Sequence, residues 1–176
     1  MYIETNSEND MKKLLITIIL FITVSVIAAM YEHSEKRPFQ KVFKDGMLFA
    51  KYDTYIDPDF NYCFEYPSFF QKDDIDYYGV GHVQYGYHAN DTNIVMECKV
   101  VPDSTVSCKK KDFIQKGACK SFSNYCYYSH YIRKKNAVYI LSLIYPNNYE
   151  EAVSSILYRI KRWKPFRSPK KLGVRR

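Results

Sequence analysis

Met11-Lys12-Lys13 followed by the run Leu14–Met30 constrains this chain more than any other stretch. Two lysines precede a long apolar segment without a single charge, the pattern that a translocation machine reads as a signal peptide or a membrane anchor. The residues that carry it are Leu14, Leu15, Ile16, Ile18, Ile19, Leu20, Phe21, Ile22, Val24, Val26 and Ile27. They are apolar all round a helix, whereas a surface helix of a soluble domain is apolar on one stripe only. Everything after Tyr31 is therefore expected on the far side of a membrane, either secreted or tethered there.

Residues 1–10 carry Glu4, Glu8 and Asp10, unlike the positive leader of an export signal. They read as a short cytoplasmic tail, or else Met11 is the true start. Val26-Ile27-Ala28 and Ile27-Ala28-Ala29 each end on a small residue, as a cleavage site requires, but with a β-branched residue where another small one is preferred. Lys12 and Lys13 on one flank nearly balance Lys36, Arg37 and Lys41 on the other, so charge sets no strong orientation. These features fit a cleaved signal and a retained anchor alike.

Residues 31–46 are polar and read as a linker, and residues 47–164 suffice for one domain with its own core. The chain is 17% aromatic, with Tyr 18 and Phe 11. Tyrosine suits strands with one wet and one buried face, which favours an antiparallel sheet over a helical bundle. Tyr62, Phe64 and Tyr66 alternate before Pro67, and Ile94, Met96, Cys98 and Val100 alternate against Glu97 and Lys99. Asp57-Pro58-Asp59 and Ala89-Asn90-Asp91-Thr92 read as turns.

Pro102-Asp103-Ser104 predicts a helix start, with the helix covering about Thr105–Gln115. A long hairpin then runs Ser121–Ile132, turns at Lys134-Lys135-Asn136, and returns along Ala137–Tyr145. Asn148 with Glu151 predicts a capped helix reaching Arg162, whose stripe is Ala152, Val153, Ile156, Leu157, Ile160 and Trp163. Strands interrupted by helices give an α+β domain, an antiparallel sheet with helices packed on its faces.

Five cysteines, Cys63, Cys98, Cys108, Cys119 and Cys126, suit an oxidising compartment. Cys119 and Cys126 are close enough in sequence to form a disulfide, although spacing alone gives no connectivity. Paired zinc-type spacing is lacking, so no metal and no other cofactor is expected. Cys126 with His130 would be the thiol and base of a thiol-dependent enzyme or redox protein, but no glycine loop stands ready as an oxyanion hole, and no catalytic residue is assigned. His82 and His88 lie about 20 Å apart along one strand and do not share an ion. Asp73, Asp74 and Asp76 lack the glycine and distal glutamate of a calcium loop and read as a solvated turn.

The net charge of +7 sits largely at the C-terminus, in Lys161, Arg162, Lys164, Arg167, Lys170, Lys171, Arg175 and Arg176. Residues 165–176 read as a disordered basic tail that could grip anionic lipid or glycan. For an exported chain no nucleic acid is expected.

The strand ending Phe64-Glu65-Tyr66-Pro67-Ser68-Phe69-Phe70 and the closing Leu143-Ile144-Tyr145-Pro146 with Ser154, Ile156, Ile160 and Trp163 resemble the PsbP-like domains. That resemblance, over about Met47–Phe166, implies an α/β/α sandwich of the kind shared with a nuclear-import factor that binds the GTPase Ran, and found in small exported bacterial proteins. It implies no activity, since the fold hosts unrelated roles. The functional expectation is a non-enzymatic, exported or membrane-anchored domain that binds an envelope protein or glycan through a tyrosine-rich sheet face.

Overall fold

The computed structural model describes residues 4–35, 38–74, 79–89 and 92–166. Two compact units divide the chain, residues 1–39 and residues 40–176. The first is dominated by helix α1, Glu4–Glu35. Its segment Met11–Met30 has mean hydropathy 2.5 and is long and apolar enough to cross a membrane. At about 1.5 Å per residue it matches a hydrocarbon layer of about 30 Å. Its two threonine hydroxyls are satisfied within the helix: Thr17 Oγ1 donates to the Lys13 carbonyl at 2.9 Å, and Thr23 Oγ1 to that of Ile19 at 2.7 Å.

The second unit is α+β, built on an antiparallel sheet, as the alternation of its residues predicts. It opens with α2, Phe39–Leu48, and a hairpin of β1, Tyr52–Ile56, and β2, Cys63–Pro67. The strands β3, Gln71–Lys72, β4, His82–Ala89, β5, Thr92–Pro102, β6, Asp112–Ala118, β7, Tyr125–Lys134, and β8, Ala137–Pro146, follow. They form one six-stranded sheet in the order β3-β4-β5-β8-β7-β6. Helix α3, Ser154–Lys161, closes the fold.

One face of the sheet carries the core. Registers Tyr85↔Met96↔Leu143↔Tyr128 and Val83↔Cys98↔Leu141↔His130 place these side chains in transverse rows. The β1–β2 hairpin packs Tyr55, Tyr62, Phe64 and Tyr66 against this face, with Tyr66 stacked on Tyr85 at a centroid distance of 3.9 Å. Phe43 of α2 meets Phe69, Phe70, Tyr87 and Tyr149. From α3, Ile156 and Ile160 are buried, and the Ile160 carbonyl accepts from His130 Nδ1 at 2.7 Å. Arg159 pairs with Glu65, and Trp163 Nε1 donates to the Cys63 carbonyl at 2.7 Å, so α3 grips β2 as well as the sheet. Each buried ring or aliphatic side chain contributes about 1.5–3 kcal/mol, and this face holds most of them.

The Asp57 turn forms as expected, its Oδ1 accepting from the Asp59 and Phe60 amides. Other boundaries differ. The polar linker contains α2, whose Phe43 finds its apolar partners from distant segments. Accordingly, the folded unit starts at Gln40, before the expected Met47.

Instead of a helix over Thr105–Gln115 there is a single 3₁₀ turn, Asp103–Thr105, an irregular crossing, and the edge strand β6. Pairing with β7 wins because it satisfies the backbone and stacks Phe113 on Tyr131 at 4.6 Å. The Asn148–Glu151 cap does not form either: Glu151 pairs with Lys44 at 2.6 Å and the Asn148 carbonyl accepts from Gln40, so α3 starts only at Ser154. Pro165 and Phe166 belong to the fold, not to a tail. The Pro165 carbonyl accepts from the Cys63 amide at 2.8 Å, and Phe166 packs edge-on against Tyr139 at 4.8 Å. Asn90 and Asp91 of the β4–β5 turn lie outside the described residues, as does Asp76.

Candidate functional site

Residues that alternate away from the core assemble on the opposite face of the sheet. Because all pairings are antiparallel and in register, they line up in three transverse rows. The middle row is polar: Gln84, Glu97, Ser142, Ser129 and Gln115 are successive partners across β4, β5, β8, β7 and β6. On one side runs the row His82, Lys99, Ile140, Tyr131 and Phe113, and on the other Gly86, Val95, Ile144, Tyr127 and Gly117. A groove of about 320 Å³ follows the polar row, its walls made by Tyr127 and Tyr131 and its ends by Glu97 and by Cys119 with Lys120.

The floor is tightly organised. Ser129 and Ser142 are both buried, and their hydroxyls share a hydrogen bond of 2.8 Å. Glu97 holds its part-buried carboxylate between one cation and one imidazole: Lys99 Nζ stands 3.2 Å from both oxygens, and His82 Nε2 lies 2.7 Å from Oε1. Burial lowers the His82 pKa, the Glu97 charge pulls it back up, and Lys99 lowers it again. Burial also pushes the Tyr131 phenol upward, so it stays protonated and available as a donor. The Tyr127 ring lies over Gly117, where a side chain would meet it at 3.4 Å. Such a surface offers aromatic faces beside a line of donors and acceptors, which is the chemistry of recognition.

The residues singled out in the sequence fall in different places. The apolar residues of α1 are all exposed. Cys119 and Cys126 do not form a disulfide, and none of the five cysteines is disulfide-linked. Cys126 pairs with Ala118 and faces the core side, whereas Cys119, one residue further on, borders the groove on the other side. The period-two alternation that would let them approach in sequence points their thiols apart. Cys126 and His130 do share a face but are about 13 Å apart along β7. Both nitrogens of His130 face other groups, Nδ1 the Ile160 carbonyl and Nε2 Asp112 Oδ1, each at 2.7 Å.

His82 and His88 take separate carboxylates, Glu97 and Asp73. Lys161, Arg162 and Lys164 are exposed, while Arg167, Lys170, Lys171, Arg175 and Arg176 lie outside the described residues. Among the described residues no three His, Cys, Asp or Glu side chains converge as metal ligands would. Many tyrosines prove to be packing residues, Tyr62, Tyr85, Tyr139, Tyr145 and Tyr149 among them. A second hollow, of about 340 Å³, lies at the β7–β8 turn, where Lys134 stands 3.4 Å over the Phe166 ring.

The polar row escapes sequence reasoning because it exists only across strands. Glu97 and Lys99 could be assigned to one face from alternation, but Ser129 and Ser142 join them only once the registers are known. Comparison with protein-family models, with curated proteins and with solved structures finds no match for this chain.

Proposed function

We propose that this chain is an exported domain, held at a membrane by α1, that recognises an extended segment of another envelope protein in the groove over Ser129 and Ser142. Support for the address comes from α1, which is compatible with a signal peptide or a membrane anchor and whose span is unburied by the rest of the chain. The observation that carries the recognition reading is the polar row itself, the floor of a groove bordered by Tyr127 and Tyr131. A polar floor between aromatic walls suits main-chain donors and acceptors of an extended ligand, with rings packing on its side chains. The PsbP-like resemblance enters this proposal for the fold alone, as an antiparallel sheet closed by a C-terminal helix.

Site-specific photocrosslinking in the native envelope tests it. A photoreactive side chain at Tyr127 is expected to give a discrete protein adduct, and one at the exposed Tyr158 of α3 is not. Adducts at both positions alike, or a glycan adduct at Tyr127, would overturn the assignment. N-terminal sequencing of the captured chain reads the processing: retention of residues 11–30 is the expected result.

A further inference from the structure

The folded unit presents a second apolar feature that neither its core nor the groove uses. Leu48 and Phe49, at the end of α2, are 72% and 86% exposed, and Val42, one α2 turn and a half earlier, is also exposed. A backbone turn, with the Phe49 amide donating to the Gly46 carbonyl at 3.2 Å, presents this pair at the corner between α2 and β1. Phe43 of the same helix is buried among Phe70, Tyr87 and Tyr149, so α2 spends one face on the core. Lys41 and Asp45 separate Val42 from Leu48 around its outer side and leave Leu48 and Phe49 as the exposed apolar pair.

The same end of the unit carries a further exposed ring. Gln40 of α2 donates to the Asn148 carbonyl, and the neighbouring Asn147 amide donates to Asn124 in the β6–β7 turn, which also holds exposed Phe122 beside Lys120. Lys41 is exposed on α2, and the acids nearby, Asp45, Glu150 and Glu151, include one that is paired with Lys44.

Chain connectivity selects the occupant. Gln40 follows Met30, the last residue of the candidate span, by ten residues. Fully extended, such a tether reaches about 36 Å, so α2 never leaves the neighbourhood of the surface in which α1 is seated. Large apolar side chains next to lysines, kept at that distance from a bilayer, have the composition of an interfacial contact.

We infer that the α2 corner, Leu48 and Phe49, dips into the headgroup–acyl boundary of the bilayer that holds α1 and so fixes which end of the domain faces the membrane. The inference rests on the reading of α1 as a retained anchor. It leaves the opposite end of the sheet, with Val80, turned to solvent.

The full chain, reconstituted into phosphatidylcholine vesicles containing a quarter phosphatidylglycerol, provides the test. Phe49→Trp is compared with Val80→Trp, a position 74% exposed two residues before β4, and with the parent chain, whose native Trp163 is 7% exposed. Replacing the lipid by its acyl-brominated form is expected to remove about half of the emission added at position 49, at a depth of about 5–10 Å, and to leave that at position 80 and Trp163 unchanged. Flotation of the vesicles separates the two readings. A chain that floats while position 49 is unquenched overturns the corner contact and keeps the anchor. Equal quenching at 49 and 80 also overturns it. A chain that fails to float overturns the anchor reading, and the contact with it.

Discussion

His130 and Asp112 meet across the edge of the sheet, Nε2 to Oδ1 at 2.7 Å, although their strands pair them with other residues, Ile114 and Ile132. The same ring donates from Nδ1 to the Ile160 carbonyl at the C-terminal turn of α3. One imidazole therefore joins the edge strand β6, its neighbour β7 and the closing helix. The joint matters because β6 has hydrogen-bonded contact on one side only.

The two ends of this joint should differ in worth. His130 is buried, and His130→Leu strips a buried carbonyl of a partner, which costs about 1–3 kcal/mol. Asp112 is 65% exposed, so Asp112→Asn costs less than about 1 kcal/mol. Urea unfolding of the two variants gives the comparison, and equal losses would show that the carboxylate, not the carbonyl, holds the ring.

Two histidines give the stability opposite pH dependences. His88 is raised above its ordinary value of 6.5, first by its hydrogen bond with Asn93, with Asp73 adding to it and partial burial opposing. Its contribution is full below about pH 6.5 and is lost as pH rises through the folded-state value. His82 is lowered, chiefly by burial. Its contribution is present above about pH 6.5 and is lost as pH falls through the lowered value. Ring-proton NMR should find His88 titrating at higher pH than His82, and His82→Gln should flatten the acid limb of a Tm–pH curve. The reverse order of titration would refute both assignments.

Gly79 and Gly81 have the same positive φ of 83°, yet only one is crowded. A Cβ on Gly79 meets nothing within 4 Å, whereas one on Gly81 comes within 2.5 Å of the Phe60 ring. Gly79→Ala should cost about 1 kcal/mol for the backbone alone. Gly81→Ala should cost more, about 2–4 kcal/mol, because Phe60 must also move. Thermal unfolding of the pair isolates the packing part, and equal shifts in Tm would contradict it.

Much of this fold could be read along the chain because its elements obey local periodicity. Ile94, Met96 and Cys98 alternate and are buried together, and the stripe Ala152, Val153, Ile156, Ile160 and Trp163 is buried as its spacing requires. Local reasoning failed where a distant partner outbid it. Val106, Phe113 and Ile114 have helix-compatible spacing, but β7 offers residues 112–118 a full ladder. Glu151 has the spacing of a capping box, but Lys44 of α2 takes its carboxylate. Phe43 sits in a polar stretch with nothing local to mark it as core, because its four ring partners lie between Phe69 and Tyr149. The groove belongs to the same class, since a row across five strands has no trace in any one of them.

Retention by α1 makes its own demand. Leu20 lies near the middle of the Met11–Met30 span. Leu20→Arg places a charge where the hydrocarbon is deepest, at a cost of about 2.5–3.5 kcal/mol on insertion scales. Membrane fractionation in alkaline carbonate should move the variant out of the membrane pellet while the parent chain stays. Undiminished retention of the variant would mean that α1 is not what holds the chain.

The floor of the groove offers a sharper test of how it is built. Ser129 and Ser142 satisfy one another in a buried setting, so either hydroxyl alone is worth less than both. Ser129→Ala leaves the Ser142 hydroxyl short of a partner at a cost of about 1–2 kcal/mol, whereas Ser142→Ala leaves Ser129 its bond with Tyr131 and costs less. Removing both eliminates the need along with the bond, so the double variant should lose at least about 0.5 kcal/mol less than the sum of the singles. Tyr127 and Tyr131 adducts then serve as the functional readout. If the hydroxyls are the floor a ligand rests on, the double variant unfolds like the Ser129→Ala single yet crosslinks at Tyr127 several-fold less than the parent. Additive unfolding costs would mean that each serine finds another partner, and the polar row would have to be redrawn without the bond at its centre.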